Sequence, residues 1–121
     1  MTHTHLTESE FELLKDNALA QQQRLREKLQ AVDATTLTQE ELTDYTFCVN
    51  KNFLAIRNIR QADFAVIVER MRQNEDEISG GISNLETLID QIRSQADLLG
   101  VLDRVISIVV RVVSIFAPVT T

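Results

Sequence analysis

Residues 101–121 read VLDRVISIVVRVVSIFAPVTT, a β-branched and nearly charge-free run that differs from the acidic sequence before it. Between Val105 and Val113 only Ser107 and Arg111 are polar. An exposed apolar surface of this size would associate with other surfaces. The segment must therefore be buried in the chain's own bundle, in a partner or in a lipid surface.

The polar residues of this segment decide between a strand and a helix. β-branching alone favours a strand, but strict alternation fails across residues 108–110. The pattern instead predicts a helix over 83–117, ended by Pro118, because the polar positions recur every three or four residues. Apolar residues on the opposite side follow the alternating spacing of a coiled coil. The polar positions are Asp97, Gly100, Arg104, Ser107, Arg111 and Ser114.

Two further helices begin with capping boxes, in which a threonine and a glutamate three residues later bond to each other's backbone amides. Thr7 and Glu10 form the first box, and Thr38 and Glu41 form the second. Apolar residues then recur at helical spacing along both segments. The predicted helices span 8–33 and 38–78.

Ser79 precedes the only glycine pair of the chain, Gly80 and Gly81. Two glycines lower helix stability by roughly 2 kcal/mol relative to alanine, so we expect a turn there. Ser83 and Glu86 would then cap a new helix. The alternative is one long helix that bends but continues through the glycines.

These signals together predict an all-α fold, either an elongated three-helix bundle or a helical hairpin with a shorter N-terminal helix. A chain of 121 residues is long enough for one helical domain over 1–121. Residues 1–6 precede the first capping box and are expected to be flexible.

The charge balance limits the classes of partner. Twelve basic and eighteen acidic residues give a net charge of −6, whereas binding to a phosphate backbone needs a concentrated basic face. Nucleic acid is therefore not an expected partner. Arg57, Arg60, Arg70 and Arg72 could grip an anion, but pairing with nearby acids such as Asp63 is the simpler interpretation.

No catalytic, cofactor or metal motif is present in the sequence. His3 and His5 lie in the N-terminal tail, and stable metal sites need three or four ligands. Cys48 has no histidine near it in sequence, so we expect a buried structural thiol rather than a nucleophile. A single cysteine excludes an internal disulfide. We expect neither enzymatic activity nor a cofactor.

The expected function is association through the C-terminal helix, either in a homo-oligomer or with another protein. Its polar stripe consists of Arg104, Ser107, Arg111 and Ser114, of which the two arginines could pair with acids of another helix and set the register of the assembly. The predicted interface consists of Leu99, Leu102, Val105, Ile106, Val109, Val110, Val112, Val113 and Phe116.

The alternative is a membrane-associating or pore-forming protein that inserts residues 101–117 with its arginines at the head groups. A full span is disfavoured because Arg111 would cost about 2.5–3.5 kcal/mol at the bilayer centre. The N-terminus lacks the basic region and apolar run of a signal peptide. We therefore expect a cytoplasmic location, with membrane association as the alternative.

Overall fold

The structure, a computed structural model, describes residues 6–118. The described chain is all-helical, and no strand occurs within 6–118. A short 3-10 turn, Ala34–Thr36, connects the first two helices. The helices are α1 Glu8–Gln30, α2 Gln39–Gln61, α3 Phe64–Gln73, α4 Glu75–Gln91 and α5 Gln95–Ile115.

The four longer helices form a four-helix bundle. α1 and α5 occupy opposite corners, and each packs against both α2 and α4. Arg24 contacts Asp90, and Lys28 Nζ donates to the Ile92 carbonyl oxygen, so α1 and α4 run in the same direction. Asn58 in α2 reaches Val113 near the end of α5, so these two helices are also parallel. α3 crosses the end of the bundle from α2 to α4.

The two N-terminal capping boxes are present. In each, the threonine hydroxyl accepts from the glutamate amide at 3.1 Å, and the glutamate carboxylate accepts from the threonine amide at 2.9 Å. Each box supplies partners for amides that the first turn of a helix leaves unpaired. Leu6, expected to be flexible, is buried, and its carbonyl oxygen accepts from Arg72. The rest of that segment lies outside the described residues.

The structure does not have the expected second helix over 38–78. The helix breaks at Ala62, whose backbone is extended, and α3 starts after Asp63. The Asp63 side chain accepts from the Ala65 amide at 3.0 Å, which makes it an N-cap. Lys15 Nζ donates to the Ala62 carbonyl oxygen at 3.1 Å and so gives this end of α2 a partner. Residues 6–118 therefore form five α-helices rather than the three predicted.

The turn expected at Ser79, Gly80 and Gly81 is not found, because all three residues lie inside α4. The chain turns at Asn74 and again around Ile92, so the helix predicted over 83–117 is interrupted. Ser94, rather than Ser83, caps the last helix by accepting from the Asp97 amide. Burying one large apolar side chain gains about 1.5–3 kcal/mol. Five such side chains outweigh the roughly 2 kcal/mol cost of two glycines. They are Ile78, Ile82, Leu85, Leu88 and Ile89.

The C-terminal helix is the main contributor to the core. It presents one apolar side to α2 and α4, and Phe116, the residue directly after it, is fully buried. Phe11 and Phe64 pack at 5.2 Å between ring centroids and extend the core toward the α3 end. The valine-rich segment thus finds cover inside its own bundle. The buried residues of α5 and of the position directly after it are Leu98, Leu102, Val105, Val109, Val112, Ile115 and Phe116.

Replacing Gly80 with alanine should stabilise the protein. A Cβ at this position has nothing within 4 Å, and the residue lies inside a helix. We expect the free energy of unfolding to rise by about 1 kcal/mol, because alanine loses less backbone entropy on folding. Urea unfolding followed by circular dichroism measures the change. Gly100→Ala, equally open in α5, is the matched control. If Gly80→Ala lowers the free energy of unfolding and Gly100→Ala does not, the result would support the turn predicted at residues 79–81.

Arg70 joins α3 to the end of α5. Its Nη1 atom donates to the carbonyl oxygens of Ile115, at 3.1 Å, and of Ala117. These acceptors belong to a helix end whose carbonyl groups have no partners within the helix. We expect Arg70→Met to lower the free energy of unfolding by about 1–3 kcal/mol. Arg60→Met, which alters an exposed arginine of α2, should change it by less than about 0.5 kcal/mol.

Candidate interaction surface

The structure divides the nine predicted interface residues into three groups. Val110 is exposed, with 38% of its surface accessible. Leu99, Ile106 and Val113 are half-buried. Only these four residues can meet a partner while the bundle stays folded; oligomerisation itself stays a prediction. The remaining five are buried in the chain's own core: Leu102, Val105, Val109, Val112 and Phe116.

The predicted polar stripe lies on the outside of α5. Arg104, Ser107, Arg111 and Ser114 are all exposed. The Arg111 guanidinium contacts the Glu77 carboxylate of α4, so this arginine pairs with an acid of its own chain. Because both side chains are largely exposed, the pair stabilises the fold by no more than about 1 kcal/mol.

One hydrogen bond defines the register of α2 against α5. Asn58 Nδ2 donates to the Val113 carbonyl oxygen at 3.0 Å across a separation of 55 residues. The two helices are parallel and share one rise per residue, so other pairs with this separation lie at similar heights. Leu54 is then level with the Val109–Val110 turn, and Lys51 with Ile106.

Apolar residues follow both sides of this contact line. On α2, Phe47 and Leu54 lie on the side that carries Asn58, because helical positions repeat every 3.6 residues. We call the six apolar residues that lie on both sides of this line the α2–α5 seam. Phe47 has 43% of its surface exposed, and Lys51 Nζ lies 5.5 Å from its ring centroid, in a cation–π contact. The seam consists of Phe47, Leu54, Leu99, Ile106, Val110 and Val113.

Charge is divided unequally among the helices. α2 has three acidic and three basic residues, and α5 has two of each. α1 has five acidic residues and four basic ones. The α2–α5 side is therefore neutral in sum, and the net negative charge lies on the α1–α4 side. The acids of α4, which contains no lysine or arginine, are Glu75, Asp76, Glu77, Glu86 and Asp90.

A pocket of about 240 Å³ lies between α1 and α2 and is lined in part by the exposed ring of Phe53. Tyr45 also lines it, and its hydroxyl donates to the Leu29 carbonyl oxygen at 2.7 Å. Behind it, Asn52 Nδ2 donates to the Gln22 carbonyl oxygen at 3.0 Å. The Gln22 side chain is fully buried, and neither of its amide atoms has a hydrogen-bond partner.

Cys48 lies on the side of α2 that faces the core of the bundle, outside the α2–α5 seam and the pocket described above. Its side chain is fully buried, and this burial raises the pKa of the thiol from 9.0 to about 12. The thiol therefore stays protonated at neutral pH, and a protonated thiol is a poor nucleophile. The structural role predicted from the sequence agrees with this placement.

Cys48 should resist thiolate-specific labelling in the native protein. At pH 8 we expect reaction with a disulfide reagent to be slower than in urea by on the order of a hundredfold or more, since labelling needs local opening. The raised pKa also predicts a pH effect. Between about pH 9 and 12 only unfolded chains ionise, so the stability present below pH 9 declines through this window. Rapid native labelling at pH 8 would show an accessible thiol.

The described residues contain no group of three or more histidine, cysteine, aspartate or glutamate side chains that could hold a metal ion. His3 and His5 lie outside the described part. No helix within residues 6–118 combines the length and apolar character needed to cross a membrane.

No protein-family model, curated protein or solved structure matches this chain. Function is therefore inferred from the surfaces of the bundle.

Proposed function

We propose that this chain is a non-enzymatic assembly protein that self-associates along the α2–α5 seam. The observation that carries the proposal is the combination of an apolar seam with a neutral pair of helices. Phe47 and Val110 are exposed on it, whereas other large apolar side chains of both helices are buried in the core. Such a patch, bordered by polar residues, is typical of a protein contact surface.

The distribution of charge favours a second copy as the occupant of the seam. A symmetric contact places the same patch on both subunits. On α2 and α5 the opposing charges are balanced, so two copies can approach without net repulsion. Lys51 and Arg57 are basic groups of this side, and Asp44 and Asp103 are acidic groups that a second copy would offer to them. A different protein that recognises the same apolar residues is the alternative occupant.

The membrane alternative would require a larger change of the fold than self-association along the seam. Inserting 101–117 into lipid requires the buried side of α5 to leave α2 and α4. Each fully buried leucine, valine or phenylalanine that loses its cover costs about 1.5–3 kcal/mol until lipid replaces it. Docking at the exposed edge of α5 needs no such opening. The cytoplasmic location expected from the sequence stays a prediction.

The seam can be tested by substituting its exposed edge. We expect Val110→Asp to weaken self-association by at least about tenfold, because a symmetric contact would bury two uncompensated carboxylates. Sedimentation velocity over a wide concentration range measures the dissociation constant. Phe47→Ser should act in the same direction without adding charge. Val109 is unsuitable, because this residue is fully buried and its replacement would unfold the bundle.

Leu13→Ser provides the matched control, since it also removes an exposed apolar side chain but from α1. Circular dichroism should report the same helical content in all three variants. A wild-type chain that stays monomeric at millimolar concentration would contradict self-association. Equal weakening by Leu13→Ser would show that the contact is not confined to the seam.

A further inference from the structure

Two hydrogen bonds mark the length of the pocket between α1 and α2. Tyr45 donates to the Leu29 carbonyl oxygen, and Asn52 donates to the Gln22 carbonyl oxygen. Both the donors and the acceptors are seven residues apart along their helices, so the two bonds are separated by about 10 Å at 1.5 Å per residue. Tyr45 and Asn52 both line the pocket. A space of this length and of about 240 Å³ is suitable for a small molecule with a single aromatic ring.

Asn52 brings an unused hydrogen-bond acceptor to this pocket. Only 2% of its surface is exposed, and its Nδ2 atom is occupied by the Gln22 carbonyl oxygen. Its Oδ1 atom has no hydrogen-bond partner. A buried polar group that has lost water without gaining another partner is unfavourable, so such groups are rare in folded proteins. A ligand that removes this deficit must carry a hydrogen-bond donor.

Arg26 brings a positive charge to the same pocket. Its side chain is exposed and has no ion-pair partner within residues 6–118. No aspartate or glutamate is among the residues that line the pocket. A guanidinium group can bind a carboxylate through two parallel hydrogen bonds. The charge of the pocket therefore favours an anionic ligand over a basic one.

The apolar part of the lining suits an aromatic ring. Phe53 lines the pocket although 66% of its surface is exposed, and Val49 and Ile56 lie on the same helix. Aromatic rings pack on one another in offset or tilted arrangements. A ring bound here would cover part of Phe53 and would lie between the polar groups of Arg26 and Asn52.

We propose that this pocket binds a small aromatic carboxylate whose ring carries a hydrogen-bond donor, such as a hydroxyphenyl acid. The carboxylate pairs with Arg26, the ring packs on Phe53, and the donor supplies the missing partner of Asn52 Oδ1. A purely apolar ligand would leave two of these groups without a partner, and an amine would be repelled by Arg26. The lining also offers no carboxylate, imidazole or thiolate ligand to a metal ion.

The pocket is independent of the α2–α5 seam, because no residue belongs to both. The chain can self-associate while the pocket is empty, and a monomer can bind the ligand. Substitutions in the pocket should leave self-association unchanged, so the failure of either proposal is visible separately.

The experiment compares 4-hydroxyphenylacetate with phenylacetate, which lacks the hydroxyl, and with tyramine, which has an amine in place of the carboxylate. Each probe is titrated into the full chain, and binding is followed by amide chemical shifts. We expect 4-hydroxyphenylacetate to bind with a Kd of about 1 mM or below, as a ligand of this size can. The largest shifts should fall within residues 26–30 and 45–56, which include the lining. Phenylacetate should bind at least about threefold more weakly, and tyramine at least about tenfold more weakly.

Variants at exposed positions then locate the contact. Arg26→Gln and Phe53→Ala should each weaken binding of 4-hydroxyphenylacetate by at least about threefold. Arg57→Gln and Phe47→Ala are the matched controls, because they make the same changes outside the pocket, and they should alter the Kd by less than about twofold. All four side chains are exposed, and circular dichroism should report the same helical content in each variant.

Asn52→Leu tests the buried acceptor with a side chain of similar size. In this variant we expect 4-hydroxyphenylacetate and phenylacetate to bind with the same Kd, because the partner of the hydroxyl is gone. A purely structural role of Asn52 would weaken both probes alike and keep the preference for the hydroxyl.

Several outcomes would overturn the proposal. Absence of shifts with 4-hydroxyphenylacetate up to about 10 mM would show that water alone fills the pocket. Equal binding of phenylacetate or tyramine to the wild-type chain would contradict the roles of Asn52 and Arg26. Equal losses in pocket and control variants, or shifts confined to α4 and α5, would place the contact elsewhere.

Discussion

The bundle depends on the burial of one side of α5 against α2 and α4. Because α5 and α1 occupy opposite corners, the other two helices must each contact both of them. α2 ends at the same end of the bundle where α4 begins, so a connection has to cross that end, and α3 provides it. Arg70 then ties this crossing segment to the last carbonyl groups of α5. The order of the helices and the positions of their breaks thus allow α2 and α4 to cover the valine-rich segment.

Some features that depend only on neighbours in sequence were predictable. The capping boxes at Thr7 and Thr38 are confirmed by their hydrogen bonds. The third predicted helix, 83–117, is helical over 95–115 but is interrupted before Gln95, and the capping box predicted at Ser83 is wrong because Ser83 lies inside α4. The break before Asp63 was not predicted, because the apolar spacing of the second helix continues through it. The glycine turn was wrong for a related reason: local propensity favoured it, but burial of the apolar side of α4 contributes more free energy.

The candidate surface was only partly predictable, since exposure depends on which helix covers each residue. Periodicity identified the apolar side of α5 but could not separate Val109, which is buried, from its exposed neighbour Val110. The contribution of α2 to the seam was missed, because it requires the register that Asn58 and Val113 define. The uneven distribution of charge was visible in the sequence. It can be assigned to one face of the bundle only when the helix boundaries and the position of each helix are known.

The unequal charge of the two helix pairs gives the molecule an electric dipole directed across its width. α4 carries five carboxylates and no cation, whereas α2 and α5 are balanced. A positively charged support such as an anion-exchange resin would therefore capture the protein by its α1–α4 face and leave the opposite face turned toward the solution. Orientation at an interface is thus built into the arrangement of the helices, before any specific recognition takes place.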